Sequence, residues 1–141
     1  MKSLSRPILL VEDNPMDVDL TRRAFACHRI VNPLEVACDG EEALAWLPRW
    51  EGGAPLPVAI LLDLNLPRVH GLDVLRQMKE HPRFRVIPIV VLTTSAEDRD
   101  IQSAYQLGAN SYIVKPVNFD KFVEVAAHLE LYWSVLNRPP V

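Results

Sequence analysis

The chain has 141 residues, a formal net charge of -3, 49% hydrophobic residues and 23% charged ones, the proportions of one ordinary globular domain with a single core. It carries no basic footprint for nucleic acid, its longest apolar runs are strand-sized, and Met1 to Pro7 lacks the apolar segment of a signal peptide. These features exclude direct nucleic-acid binding and a membrane span, and they predict a cytoplasmic protein. Cys27 and Cys38 have no metal-ligand spacing and read as small apolar residues, one on a helix and one on a strand.

In chain order, Ile8-Leu9-Leu10-Val11 is a short apolar run that reads as a buried strand and ends in Glu12-Asp13-Asn14-Pro15. Asn14 as N-cap with Pro15 at the first helical position predicts a helix, with Leu20, Ala24 and Cys27 on its inner face and an end near Arg29 to Asn32. Leu34, Val36 and Cys38 alternate with Glu35 and Ala37, as suits a strand nearer a sheet edge, and Asp39-Gly40 turns the chain. A second helix is expected from about Glu41, with Ala43, Leu44 and Leu47 inward. Glu51 to Pro57 contains two glycines and two prolines and predicts a loop.

Val58 to Leu62 is a continuous branched apolar run, the signature of a central strand buried on both faces, and it delivers Asp63 at its carboxyl end. Leu72, Leu75 and Met78 mark a third helix, stopped by His81-Pro82. Ile87 to Leu92 reads as the fourth strand, running into Thr93-Thr94-Ser95. Ile101, Ala104, Tyr105 and Leu107 belong to a fourth helix, closed by Gly108 in the left-handed C-terminal position. Ser111 to Val114 is the fifth strand, before Lys115-Pro116. In the last helix, Asn118 is the N-cap and Phe122, Ala126, Leu129, Trp133 and Leu136 recur at three- and four-residue spacing.

Strand and helix alternating five times predict an α/β fold: a doubly wound, five-stranded parallel sheet with five helices. Such a sheet brings Glu12-Asp13, Asp63, Thr93 and Lys115 to its carboxyl edge, where open α/β sheets bind ligands. Three carboxylates and one ammonium leave a charge of about minus two, which repels itself unless protons or a cation bind. Oxygen ligands of this kind suit Mg²⁺. With a cation present, Asp63 can attack an electrophilic phosphorus while Lys115 and Thr93 hold the phosphoryl oxygens.

From about Pro7 to Leu136 the chain resembles the receiver domain of a two-component response regulator. The resemblance is carried by the acidic pair Glu12-Asp13, by Asp63, by Thr93 and by Lys115-Pro116, in order and each after its own strand. It implies a flavodoxin-like sheet of order 2-1-3-4-5. It also implies phosphorylation of Asp63 by a histidine kinase, and the length of the chain leads to the expectation of a single receiver domain over 1–141, with a core of about 7–136 and no output domain. By the same resemblance Asp13 and Asp63 give carboxylates to Mg²⁺, Asn65 gives its main-chain carbonyl, and Glu12 acts through water. Glu12 replaces the Asp found in many members, a common variation. A cis peptide before Pro116 is implied, and Tyr112 resembles the family's aromatic switch residue. Asn65 and Ser95 lie where members tune hydrolysis of the acyl phosphate.

Each residue also has a plainer reading. Asp63 alone could cap a turn, Lys115 could be a surface lysine, Thr93 could cap the next helix, and Tyr112 could be an ordinary core or surface tyrosine. His28, His70, His81 and His128 show no catalytic spacing, so the phosphodonor histidine is expected on another protein. The resemblance also implies output on the face of the fourth helix, fifth strand and last helix, toward a downstream phosphotransfer or effector protein. Tyr132 and Trp133, with Leu129 and Leu136, suggest a homodimer through that face. The end of the last helix and the loop before the central strand resemble stand-alone regulators paired with phytochrome-type kinases. The alternative from another class is a haloacid-dehalogenase-like phosphatase with Asp63 as nucleophile. It is disfavoured because Asn65 stands where such enzymes usually carry a second Asp.

Overall fold

The computed structural model describes residues 6–27 and 32–115. Five parallel strands form one sheet: β1 (Ile8–Val11), β2 (Leu34–Ala37), β3 (Ala59–Leu62), β4 (Ile89–Thr93) and β5 (Ser111–Val114), in the order β2-β1-β3-β4-β5. Ile8 pairs with Leu34 on one side and Ala59 on the other, Ile60 pairs with Ile89, and Val90 with Ser111. The order expected from the resemblance is therefore observed, and β3 lies at the centre. Its four residues are all buried, as are those of β1 and β4, because a parallel sheet is covered on both faces and alternation gives way to continuous apolar runs.

Five helices lie among the described residues: α1 (Pro15–Cys27), α2 (Gly40–Leu44), α3 (Trp46–Glu51), α4 (Gly71–Glu80) and α5 (Asp98–Gln106). Along each strand, successive side chains enter opposite cores. Leu9, Val11, Ile60 and Leu62 pack with Ala43, Trp50, Val74, Leu75, Met78 and Ala104 of α2 to α5. Ile8, Leu10, Ala59 and Leu61 pack with Phe25 of α1 on the other face. Trp50 and Phe84 meet edge to face with ring centroids 5.4 Å apart, and His81 stacks on Phe84 at 4.1 Å.

Several boundaries differ from expectation for local reasons. The single helix expected after Asp39 is two, because Pro48 has no amide to donate to the Leu44 carbonyl and the helical ladder is interrupted there. Asp39 does more than turn the chain: its carboxylate accepts the Glu42 amide at 2.8 Å, while the Glu42 side chain accepts the Cys38 amide at 2.8 Å, a reciprocal cap. Cys38 lies just beyond β2 and is exposed.

The buried face of α1 is Thr21, Ala24 and Phe25, not Leu20, Ala24 and Cys27; Leu20 is 44% exposed and Cys27 is exposed. Thr21 tolerates burial because its hydroxyl donates to the Asp17 carbonyl at 2.8 Å, which removes the penalty that favoured the apolar neighbour. The Asn14 cap is present, its side chain accepting the Met16 amide at 2.9 Å. Gly108 has φ of 110°, as its place after α5 requires. The expected last helix, with Leu129, Tyr132, Trp133 and Leu136, lies outside the described residues, as do Pro116, His28 and His128.

Candidate functional site

Two backbone bonds carry the sheet ladder to its carboxyl edge: the Asp63 amide donates to the Val11 carbonyl at 3.1 Å, and the Lys115 amide to the Thr93 carbonyl at 2.6 Å. Register therefore fixes where the side chains of Glu12, Asp63, Thr93 and Lys115 begin. Glu12, Asp63 and Thr93 are all buried, while Asp13 is exposed. Gly71 at the start of α4 lies against the backbone of Asp63 and Leu64 so closely that a Cβ there would come within 2.4 Å of the Asp63 carbonyl oxygen. The amide of Gly71 also donates to the Leu64 carbonyl at 2.8 Å, so the turn after Asp63 is held tightly.

Lys115 is the hub of the site. Its Nζ donates to Glu12 Oε1 at 2.6 Å, Asp17 Oδ2 at 2.9 Å and Asp63 Oδ2 at 3.2 Å, which uses all three ammonium donors. This is not a lysine stretched toward solvent. Burial pulls the ammonium down, but the hydrogen bonds to Glu12 and Asp17 and the Asp63 charge outweigh it and hold Lys115 above its ordinary value. For Glu12 the balance runs the other way. Burial raises its carboxyl above the usual range even though Lys115 opposes the shift, and the charge of Asp63 adds to it.

The carboxylates of Glu12, Asp13 and Asp63 each offer an oxygen, all within 4.8 Å of one another. That span is close to the roughly 4.2 Å between opposite ligands of Mg²⁺, and hard oxygen donors are what such a cation takes. The residues present therefore fit a divalent cation.

Thr93, the last residue of β4, is fully buried, and it is not a helix cap: α5 begins five residues later, after Glu97. Its hydroxyl accepts weakly from Asn65 Nδ2 and the Ser95 amide, both at 3.4 Å. Asn65 is a bridge, its amide donating to Asp63 Oδ1 at 3.0 Å and its side chain to Thr94 Oγ1 at 3.1 Å. Tyr112 is half-buried, with its hydroxyl donating to the Ser95 carbonyl at 2.9 Å. The structure thus brings Glu12, Asp13, Asp63, Asn65, Thr93 and Lys115 together, with Tyr112 at the margin through the loop after Thr93.

Asp17 was absent from the sequence-based site. The signal was available: Asp17 falls in the first turn of a helix that Pro15 starts, where side chains lean back toward the N-terminal end and so toward the strand end. What the sequence does not contain is the tertiary approach of β5 to the first turn of α1.

A parallel sheet that gathers carboxylates, a buried threonine and a lysine at one edge, with oxygens spaced for a cation, has the chemical parts that phosphoryl transfer uses. Residues 8–127 match the model of the response regulator receiver domain, and the chain belongs to that family. It is similar to the "Probable methanogenesis regulatory protein FilR2" of Methanothrix harundinacea, 44% identical over 94% of this chain and 86% of that protein. Among solved structures it resembles the phosphorylated cyanobacterial phytochrome response regulator RcpA, with a TM-score of 0.80 and 36% identity over 96% of this chain and 99% of the other. It also resembles the Mn²⁺-bound form of Rcp1, with a TM-score of 0.79 and 35% identity over 96% of this chain and 99% of the other. The protein is thus a receiver-domain response regulator, homologous to phytochrome-linked regulators, in a family whose general mechanism is phosphorylation on aspartate. The phosphatase alternative finds no support. Among the described residues no helix is long and apolar enough to cross a membrane.

Proposed function

We propose that this receiver accepts a phosphoryl group on Asp63 from a phosphohistidine of a histidine kinase and works as a stand-alone regulator in the cytoplasm. The observation that carries the reading is the Lys115 ammonium, bonded at once to Asp63 Oδ2 and Glu12 Oε1 beside three clustered carboxylates. Asp63 attacks phosphorus through a carboxylate oxygen; the P–N bond to the donor imidazole breaks and the imidazole leaves with its electron pair, taking up a proton. Asp13, Asp63 and the Asn65 main-chain carbonyl would hold Mg²⁺, with Glu12 acting through water. The cation supplies positive charge against the phosphoryl oxygens as the transfer proceeds.

The chain's own residues do the rest. Lys115 turns from the carboxylates to a phosphoryl oxygen, and the Thr93 hydroxyl, lightly held at 3.4 Å by two donors, is free to turn toward another. The new group adds about minus two charge. Movement of Thr93 is felt at Ser95, whose carbonyl holds the Tyr112 hydroxyl, and this link supports Tyr112 as the switch residue. The only reaction assigned to the protein is the gain and loss of its own phosphoryl group.

The likeness to RcpA, a cyanobacterial phytochrome response regulator, supports a light-responsive kinase as donor. The output partner is read as a phosphotransfer or effector protein, and the assembly as a homodimer.

Incubation with acetyl phosphate and Mg²⁺, followed by intact mass measurement against Asp63→Asn, tests the core of the reading. A phosphoryl adduct on the wild type alone is expected. No adduct on the wild type, or an equal one on the variant, overturns it.

A further inference from the structure

We propose that Asp17 is a positioning residue that tethers Lys115, so that the lysine can release the cation's ligands without leaving the site. The inference rests on the reading of the site above and adds a residue to it. Lys115 touches three carboxylates, but only two of them, Glu12 and Asp63, belong to the cluster that fits a cation; Asp17 does not. An ammonium and a divalent cation draw on the same two carboxylates, Glu12 and Asp63. A lysine held by those two alone would oppose the cation while free of it, and would have no fixed partner once displaced. Asp17 supplies one. At 2.9 Å it occupies one ammonium donor and leaves the other two to move from carboxylate to phosphoryl oxygen.

The tether is itself anchored. Asp17 lies in the first turn of α1, whose start is set by the Asn14 cap, and its main-chain carbonyl accepts the hydroxyl of buried Thr21 at 2.8 Å. A plainer role exists, since an acidic residue in the first turn of a helix is favourable by itself. That role requires no contact with Lys115, and Asp19 in the same helix shows the difference: it pairs with Arg23 at 3.0 Å.

A double-mutant cycle on the full chain separates the two. Mn²⁺ affinity is measured by paramagnetic resonance of the free ion for the wild type, Asp17→Asn, Lys115→Met and the double variant, with Asp19→Asn as control and denaturation curves to show that each is folded. Asp17→Asn is expected to weaken Mn²⁺ binding about fivefold with Lys115 present and less than twofold with Lys115 replaced. At saturating Mn²⁺, phosphorylation of Asp17→Asn by acetyl phosphate is expected to be about tenfold slower, with Asp19→Asn unchanged. Equal weakening in both backgrounds, or wild-type affinity in Asp17→Asn, overturns the tether. Failure of the wild type to bind Mn²⁺ at all overturns the cation site as well, so the two failures are distinct.

Discussion

The Tyr112 hydroxyl donates to the main-chain carbonyl of Ser95 at 2.9 Å, joining β5 to the loop that leaves Thr93. Burial raises the phenol above its ordinary value of 10.0, the charges of Asp100, Asp63 and Glu97 add to the rise, and the Ser95 side chain opposes it. A pKa raised on folding means that the native state holds the proton more tightly than the unfolded chain. The contribution is therefore whole below the unfolded value and lost as pH rises through the folded one. Tyr112→Phe should cost about 1 kcal/mol at pH near 8. The gap from wild type should shrink above a pH of about 10. Urea denaturation at neutral and alkaline pH checks this, and a gap that does not change with pH would exclude the hydroxyl as its source.

Removal of divalent cation exposes the repulsion among Glu12, Asp13 and Asp63. Mg²⁺ at about 100 times its dissociation constant should stabilise the wild type by about 2.7 kcal/mol relative to chelator. Asp13→Asn should lose most of that gain, and in chelator it should be at least as stable as the wild type because one repelling charge is gone. Melting curves with Mg²⁺ and with EDTA give all four values. A variant that is less stable than wild type in EDTA would show that Asp13 holds the fold by another route.

Gly71 has no room for a side chain. A Cβ there meets the Asp63 carbonyl oxygen and the Leu64 Cα, both at 2.4 Å, and neither is the end of a flexible side chain. Gly71→Ala should cost about 1–3 kcal/mol through the forced backbone shift. Phosphorylation from acetyl phosphate should slow by about 10–100-fold, because the shift falls on Asp63, the residue proposed as the nucleophile. Gly52→Ala, whose nearest contact would be 3.4 Å, is the tolerated comparison.

Phe84 tests the core away from the site. It is 1% exposed and packed between Trp50 and His81, so Phe84→Ala should cost about 3–5 kcal/mol by chemical denaturation. In the fraction that remains folded, phosphorylation of Asp63 should proceed at close to the wild-type rate. A large loss of rate with little loss of stability would link this end of α4 to the site.

The sheet was legible because a strand buried on both faces has only one way to write itself: Ile8–Val11 and Ala59–Leu62 appear where the apolar runs place them. The residues that share the carboxyl edge follow from parallel order, so Glu12, Asp63, Thr93 and Lys115 could be grouped before any distance was known. What escaped depends on partners that a linear pattern does not carry. Thr21 displaced Leu20 from the inner face of α1 because a backbone carbonyl satisfied its hydroxyl. The second helix divided because one missing amide at Pro48 outweighed an apolar spacing that suited continuity. Asp17 meets Lys115 across 98 positions of sequence, and the Tyr112 bond to Ser95 likewise exists only once β5 has paired.

The 103 positions between Glu12 and Lys115 have a consequence for the birth of the protein. At ordinary rates of translation, the acidic pair is made about 5–20 s before its lysine. Until β5 docks against β4, the edge is a set of mutually repelling carboxylates without this ammonium among them, and among the described residues the pairing that would recruit it spans 103 positions. A growing polypeptide therefore lacks the assembled edge. The site is whole only once β5 has paired with β4, so its assembly reports that the five-stranded sheet is in place.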